Sequence, residues 1–280
     1  MPTEAGPVSL DDLITLALRA GQEILAVREA GVQASEKADG SLVTLADQRA
    51  EALIEAGLKT IAPEIPMLGE ESFAAGKAPA LGARFFCVDA LDSTRDFVEG
   101  GRGEFTVNIA LVEEGAPVMG VVFAPATGEL YSGADGKAQK CAYDGVSGAR
   151  IAAASTIAIS AAPADGAWRI LHSRHSGGAR TEDFLQALGP HRSVAASSSI
   201  KFCRLAEGRA DLYPRFGNVC DWDAAAGHAI LSAAGGGVMS LSGETQTYNQ
   251  RPDHIVPGFI AFASADAEAA ARAALKLLNY

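Results

Sequence analysis

The stretch Arg84–Val98, RFFCVDALDSTRDFV, limits what this chain can become more than any other. Phe85, Phe86, Cys87 and Val88 are a short apolar run of β-forming residues, the composition of a buried strand. The run stops at Asp89, and Asp92, Ser93 and Thr94 follow almost at once. Asp-x-x-Asp at the end of such a strand gathers two carboxylates, the Leu91 carbonyl and two hydroxyls at one turn. Hard divalent cations take oxygen donors of this kind, and Mg²⁺ is commonly held by one or two carboxylates together with substrate phosphate. The same residues also suit a plain turn in which each Asp bonds to nearby backbone.

Composition narrows the setting. The chain has 280 residues, 48% of them hydrophobic and 20% charged, which suits one large or two smaller globular domains. No apolar run reaches the roughly 18 residues of a membrane span. The N-terminal MPTEAGPVSLDDL has no basic region, so it does not read as a secretory signal. Four scattered cysteines without a CxxC read as reduced cytosolic thiols, and a cytoplasmic location is expected. A net charge of −11 argues against binding a nucleic-acid polymer or an anionic membrane, but not against a small anion reached through bound cations.

Along the chain, Ser9 with Asp12 begins a helix that runs at apolar spacing toward Gly31. After an Asp39-Gly40 turn, Thr44 with Asp47 begins a second one, so Asp47 is a capping carboxylate, a role compatible with facing a cleft. GEES at 69–72 reads as an acidic loop ahead of the Asp89 strand. From 103 to 131 the text is β-rich, with turns at Glu114-Gly115 and Thr127-Gly128, then at Asp135-Gly136 and Asp144-Gly145. Residues 148–165 turn Ala/Ser-rich and lose periodicity, and a boundary is placed there. Strand-like and helical segments alternate beyond it. The expected organisation is an α+β domain over 1–155, carrying most acidic candidates, and an α/β domain over 156–280 completing the site.

Several chemistries are excluded. The chain has no P-loop, no G-x-G-x-x-G and no G-x-S-x-G elbow. Carboxylates three apart rather than two disfavour an aspartyl-phosphate mechanism at Asp89 or Asp92. A last acidic group, Asp221-Trp222-Asp223 before a small-residue helix, places Asp223 as an N-cap at a helix end suited to anions. Trp222 and His228 read as packing.

GEES, VDALDST and WDAAAG, in that order, resemble the magnesium-dependent phosphomonoesterases of the inositol monophosphatase superfamily. The segments GEFTVNIALVEEGAPVMGVVFAPATGELY, SSSIKFCRLAEGRADLYPRFG and WDAAAGHAIL resemble its CysQ-type 3′(2′),5′-bisphosphate nucleotidase branch, and the likeness spans about Lys37 to Phe262. The resemblance implies a layered αβαβα sandwich of sugar-phosphatase type. It implies two or three Mg²⁺ ions on Glu70, Asp89, the Leu91 carbonyl, Asp92 and Asp223, with Asp47 and Thr94 orienting and deprotonating the attacking water. Phosphate would meet Ser93 and Thr94, besides the metal-side groups Glu70, Leu91, Asp92 and Asp223. Ser198, Lys201, Arg215 and His175 would meet the rest of the nucleotide; read from the residues alone, Lys201 and Arg215 are ordinary solvated charge.

One departure stands out: Ser93 occupies a position where the family usually has Gly, which adds strain if a positive φ is needed there. The implied reaction is hydrolysis of adenosine 3′,5′-bisphosphate to AMP and phosphate in a soluble enzyme, with a homodimer as the expected assembly. The rivals are an inositol monophosphatase or sugar bisphosphatase with the same metal chemistry, and a catalytically dead cation- or nucleotide-binding relative.

Overall fold

The computed structural model describes residues 8–37, 40, 42–100, 104–172 and 178–280. The turn residue Asp39 and the candidate His175 lie outside them. The first part of the chain contains α1 (Leu10–Ala30), β1 (Ala34–Glu36), β2 (Leu42–Thr44), α2 (Leu45–Ile61), β3 (Met67–Gly69), α3 (Glu70–Ala74), β4 (Arg84–Asp92) and α4 (Thr94–Glu99). A meander follows: β5 (Thr106–Glu113), β6 (Ala116–Ala124), β7 (Glu129–Ala134), β8 (Lys137–Tyr143) and β9 (Arg150–Ile157). Next come β10 (Trp168–His172), α5 (Ala179–Leu188), β11 (His191–Ala195), α6 (Ile200–Ala206), β12 (Leu212–Arg215), β13 (Val219–Cys220) and α7 (Asp221–Ala233). The chain closes with β14 (Gly237–Ser240), β15 (Ile255–Val256), β16 (Phe259–Phe262) and α8 (Ala265–Leu277).

These elements stack in five layers, αβαβα. A seven-stranded sheet runs β3-β4-β5-β6-β7-β8-β9, antiparallel except for the β3–β4 pair. A five-stranded sheet runs β11-β10-β12-β16-β14 and mixes parallel with antiparallel pairs. The β4 sequence shows how the layers bind. Phe86 and Val88 face the core under α1 and α2, whereas Phe85 and Cys87 face the core shared with α6 and α7. A strand covered on both faces loses the apolar–polar alternation and reads as a continuous apolar run. The outer face of the second sheet buries Ile170, Leu212 and Ile260 against α5 and α8.

The small residues of α7 are explained by how closely it lies on the sheet. A Cβ added at Gly120 would come within 2.4 Å of the Ala226 carbonyl, and one at Gly133 within 2.7 Å of Ile230 Cα. The two hairpin turns Glu114-Gly115 and Asp135-Gly136 have positive φ at both central residues, which matches the right-handed twist of the strands they join. The stretch read as connecting chain is strand β9 over Arg150–Ile157, exposed along nearly its whole length. Its lack of apolar alternation comes from its place at the sheet edge, where neither face is covered.

His228 lies inside this packing, 4% exposed, with Nδ1 3.0 Å from the Tyr248 hydroxyl. Burial lowers its pKa from 6.5 to about 4. The folded protein therefore binds fewer protons than the unfolded chain between these values, so stability is full above pH 6.5 and falls as pH drops toward 4. The expected loss is about 2 kcal/mol by pH 5. Urea unfolding at pH 7 and pH 5 should show the wild type faring worse than His228→Gln over this drop by about 2 kcal/mol, whatever the buried carboxylates contribute to both. Equal changes would mean that His228 does not contribute this loss.

Candidate active site

The site is built where β4 ends. Asp89 and Asp92 are three apart, and in a regular strand they would point to opposite faces. Here Asp89 pairs with Asn108 and Asp92 with Thr106, so three steps on β4 match two on β5. The extra residue is a β-bulge, and it turns both carboxylates to the face that carries α6 and α7. The strand thus runs on to Asp92 rather than stopping at Asp89. Ser93 follows with φ 68° and ψ 50°, left-handed backbone that costs a non-glycine residue about 1 kcal/mol. The strain expected of Ser93 is therefore present.

Two further carboxylates arrive from other elements. Glu70 opens α3, a helical turn where a loop was expected. The cause is Glu51, a buried carboxylate on α2 that accepts the Glu71 and Ser72 amides at 2.7 and 2.8 Å and so satisfies the start of α3. Gly69 is required beside it, since a Cβ there would lie 2.7 Å from the Glu51 carboxylate. Asp223 is the third residue of α7 rather than its N-cap, because Asp221 and Trp222 already belong to the helix. Its carboxylate reaches back to the Cys220 amide at 2.7 Å.

Glu70, Asp89 and Asp223 each present an oxygen within 4.8 Å of the other two. Asp92 stands beside this trio, with Oδ2 accepting from Ser198 Oγ at 2.5 Å and from the Ser199 amide at 2.8 Å. The electrostatics are adverse without a cation. Burial, reinforced by the neighbouring carboxylates, holds Asp89 well above the usual carboxylate range and pushes Asp223 up to about 8. Burial raises Glu70 as well, with Lys37 opposing. Lys37 Nζ bridges Glu70 at 2.7 Å and Glu71 at 2.5 Å. Buried, all-oxygen, repelling carboxylates of this kind fit a hard divalent cation.

Next to the trio, Thr94 Oγ1 lies 2.9 Å from Asp47 Oδ1 and 3.2 Å from the Leu91 carbonyl. The other Asp47 oxygen accepts from the Thr44 amide at 2.7 Å, so one carboxylate caps α2 and faces Thr94 together. Burial raises the Asp47 pKa, with the hydrogen bonds from Thr44 and Thr94 opposing. Lys201 is buried, not solvated, with Nζ 5.0 Å from the Tyr213 ring centroid. Burial is the main reason its pKa falls to about 8, Asp92 opposing and Arg215 adding to the fall. Arg215 lines a cleft of about 320 Å³ with Arg180, Thr181 and Phe216. Ser198 has its hydroxyl committed to Asp92.

Glu51, Lys37, Thr106 and Asn108 were not singled out from the sequence. Only Glu51 left a local signal: it follows Asp47 by four positions, on the same face of α2.

A model of the inositol monophosphatase family matches residues 9–277. The chain belongs to the inositol monophosphatase family. Within it, the chain is 41% identical over 254 residues to the 3′(2′),5′-bisphosphate nucleotidase CysQ of Shigella flexneri, covering 89% of this chain and 98% of that one. The CysQ of Escherichia coli K12 is 40% identical over the same shares. Among solved structures, CysQ of Bacteroides thetaiotaomicron superposes with a TM-score of 0.74 at 35% identity, covering 91% of this chain and 96% of that one. An IMPase of Thermotoga maritima reaches 0.73 at 22% identity over 96% and 98%, a likeness of fold. As in other members of the family, the acidic cluster suits a metal-dependent phosphatase. No helix among the described residues is long and apolar enough to cross a membrane.

Proposed function

We propose that this family member hydrolyses the 3′-phosphate of adenosine 3′,5′-bisphosphate, giving AMP and phosphate, with Mg²⁺ held by Glu70, Asp89, Asp92, Asp223 and the Leu91 carbonyl. The observation that carries the reading is the buried Glu70–Asp89–Asp223 cluster beside the Asp47–Thr94 pair. The likeness to CysQ proteins supports the nucleotide substrate. Free thiols at Cys87, Cys141, Cys203 and Cys220 agree with a cytoplasmic enzyme.

Bound among these carboxylates, Mg²⁺ supplies electrophilic stabilisation of phosphoryl oxygens and a water whose proton is more easily lost. The chain's own residues then have defined tasks. Thr94 orients the attacking water through Oγ1 and takes its proton as its own passes to Asp47. Burial of Asp47 raises its basicity, which favours its taking up the proton. As the water oxygen adds to phosphorus, the P–O3′ bond breaks and the ribose oxygen leaves, taking its proton from solvent. The amides of Ser93 and Thr94 meet the phosphate oxygens during this transfer.

The second phosphate is assigned to Arg215, with Lys201 behind it. Arg215 borders both the 320 Å³ cleft and, through its field on Asp223, the acidic cluster. Arg215→Ala should raise KM for adenosine 3′,5′-bisphosphate by about 10- to 100-fold, as loss of a charge-assisted hydrogen bond does. It should leave KM for inositol 1-phosphate unchanged. An unaltered nucleotide KM would remove the nucleotide assignment while leaving the metal chemistry intact.

A further inference from the structure

Behind Asp92 lies a closed set of polar side chains in which Thr106 and Asn108 are 0% exposed, Ser199 2% and Ser198 8%. They come from two parts of the fold: Thr106 and Asn108 from β5, the serines from the turn into α6. Thr106 Oγ1 lies 2.5 Å from Ser198 Oγ and 2.8 Å from Ser199 Oγ. Asn108 Oδ1 lies 2.6 Å from Ser199 Oγ and 3.0 Å from Thr106 Oγ1. Ser198 is held at φ 55° at the end of this chain, and its hydroxyl meets Asp92 Oδ2.

Proton counting gives the chain a direction. A carboxylate only accepts, so the Ser198 hydroxyl donates to Asp92 and must accept from Thr106. Thr106 then has no proton left for Asn108. With the amide in that orientation, Asn108 Nδ2 is buried without a partner among the described residues, a costly state for a donor. A half-turn of the amide gives Thr106 a donor and leaves a carbonyl oxygen, a less costly orphan than an N–H, in the unpartnered place. Nδ2 then donates to Ser199 and Thr106, Ser199 donates to Thr106, Thr106 to Ser198, and Ser198 to Asp92.

We propose that Asn108 and Thr106 are positioning residues that act through Ser199 and Ser198 to fix the Asp92 carboxylate, with Oδ2 occupied and Oδ1 turned to the cation site. This rests on the reading of Asp92 as a metal-side group. The relay ties β5 to the start of α6, so the same bonds that orient Asp92 also register one half of the site against the other. Partners behind a ligating carboxylate commonly change metal affinity by about 10- to 100-fold when removed.

The test compares wild type, Thr106→Val and Thr106→Ser by two readouts: the Mg²⁺ concentration giving half-maximal turnover, and Mn²⁺ binding followed by electron paramagnetic resonance without substrate. Thr106→Val should weaken both by about 10-fold or more, leave substrate KM at saturating Mg²⁺ near the wild-type value, and be rescued by Thr106→Ser. Asn108→Leu, which removes the donor without adding charge, should weaken both in the same direction. A folded Thr106→Val with wild-type Mn²⁺ affinity would overturn the relay. If that variant does not fold, Ser198→Ala, which removes the hydroxyl that meets Asp92, carries the same comparison, and unchanged Mn²⁺ affinity there overturns it equally. Failure of the underlying reading looks different: the wild type itself would bind no Mn²⁺, which would contradict the relay along with it.

Discussion

Asp89→Asn should give a protein that melts higher than wild type in chelator at pH 8, yet has lost turnover by about a thousandfold or more. Both effects come from one carboxylate. Asp89 is 2% exposed, and burial followed by the charges of Glu70, Asp92 and Asp223 raises its pKa well above the usual range. A carboxyl group raised in the folded state stabilises most below its unfolded pKa and loses that contribution as pH rises. At pH 8 without cation, the unfolded chain has Asp89 ionised while the fold disfavours that charge, and this is the cost that the amide removes. The amide oxygen still accepts from the Leu91 amide, which Asp89 Oδ1 meets at 2.9 Å, so the bulge is retained. A rise of about 2–4 °C corresponds to 1 kcal/mol of relief in a chain of this size. Adding Mg²⁺ should raise the wild-type melting temperature and leave the variant unmoved, because only a native state that binds the ion is stabilised by it. A variant that still gained stability from Mg²⁺ would place the ion elsewhere.

The second large effect is expected at Asp47. Asp47→Asn should lower kcat by about 100- to 10,000-fold, the range for removal of a general base, with KM and Mg²⁺ dependence near wild type. The split follows from the two oxygens of Asp47. One accepts from the Thr44 amide, a capping role that the asparagine oxygen can keep. The other faces Thr94 Oγ1 at 2.9 Å, and there the amide cannot take a proton. The wild-type kcat should decline on the acid side through a group above the ordinary carboxylate range, as burial of Asp47 dictates. Thr94→Ser should retain most turnover, since it keeps the hydroxyl. A comparable kcat in Asp47→Asn would assign deprotonation to another group.

The elements most readable from sequence were those whose cause is local. The hairpins at Glu114-Gly115 and Asp135-Gly136 rest on residues that tolerate positive φ, and the Ser9–Asp12 and Thr44–Asp47 boxes rest on spacing within one helical turn. The β4 strand announces itself because both its faces are buried. What stayed hidden depends on distant partners. Nothing near Glu51 shows that it will cap α3 twenty positions later, and that cap is what makes GEES a helical turn. Thr106 and Asn108 look like ordinary polar residues in a strand until α6 brings the serines against them. The start of α7 was misplaced because Cys220 is an unusual residue at a helix entrance, while Asp223 resembles the usual cap. The bulge is a matter of pairing with β5, so the common face of Asp89 and Asp92 could be argued from chemistry but not from alternation.

The most direct measurement is phosphate release from adenosine 3′,5′-bisphosphate and from inositol 1-phosphate, side by side, with Mg²⁺ and with chelator. The account predicts rapid Mg²⁺-dependent release from the nucleotide, AMP as the organic product, much slower release from the inositol phosphate, and neither reaction in chelator. Undiminished release in chelator would contradict the role of the Glu70–Asp89–Asp223 cluster, and preference for the inositol phosphate would contradict the task given to Arg215 and Lys201.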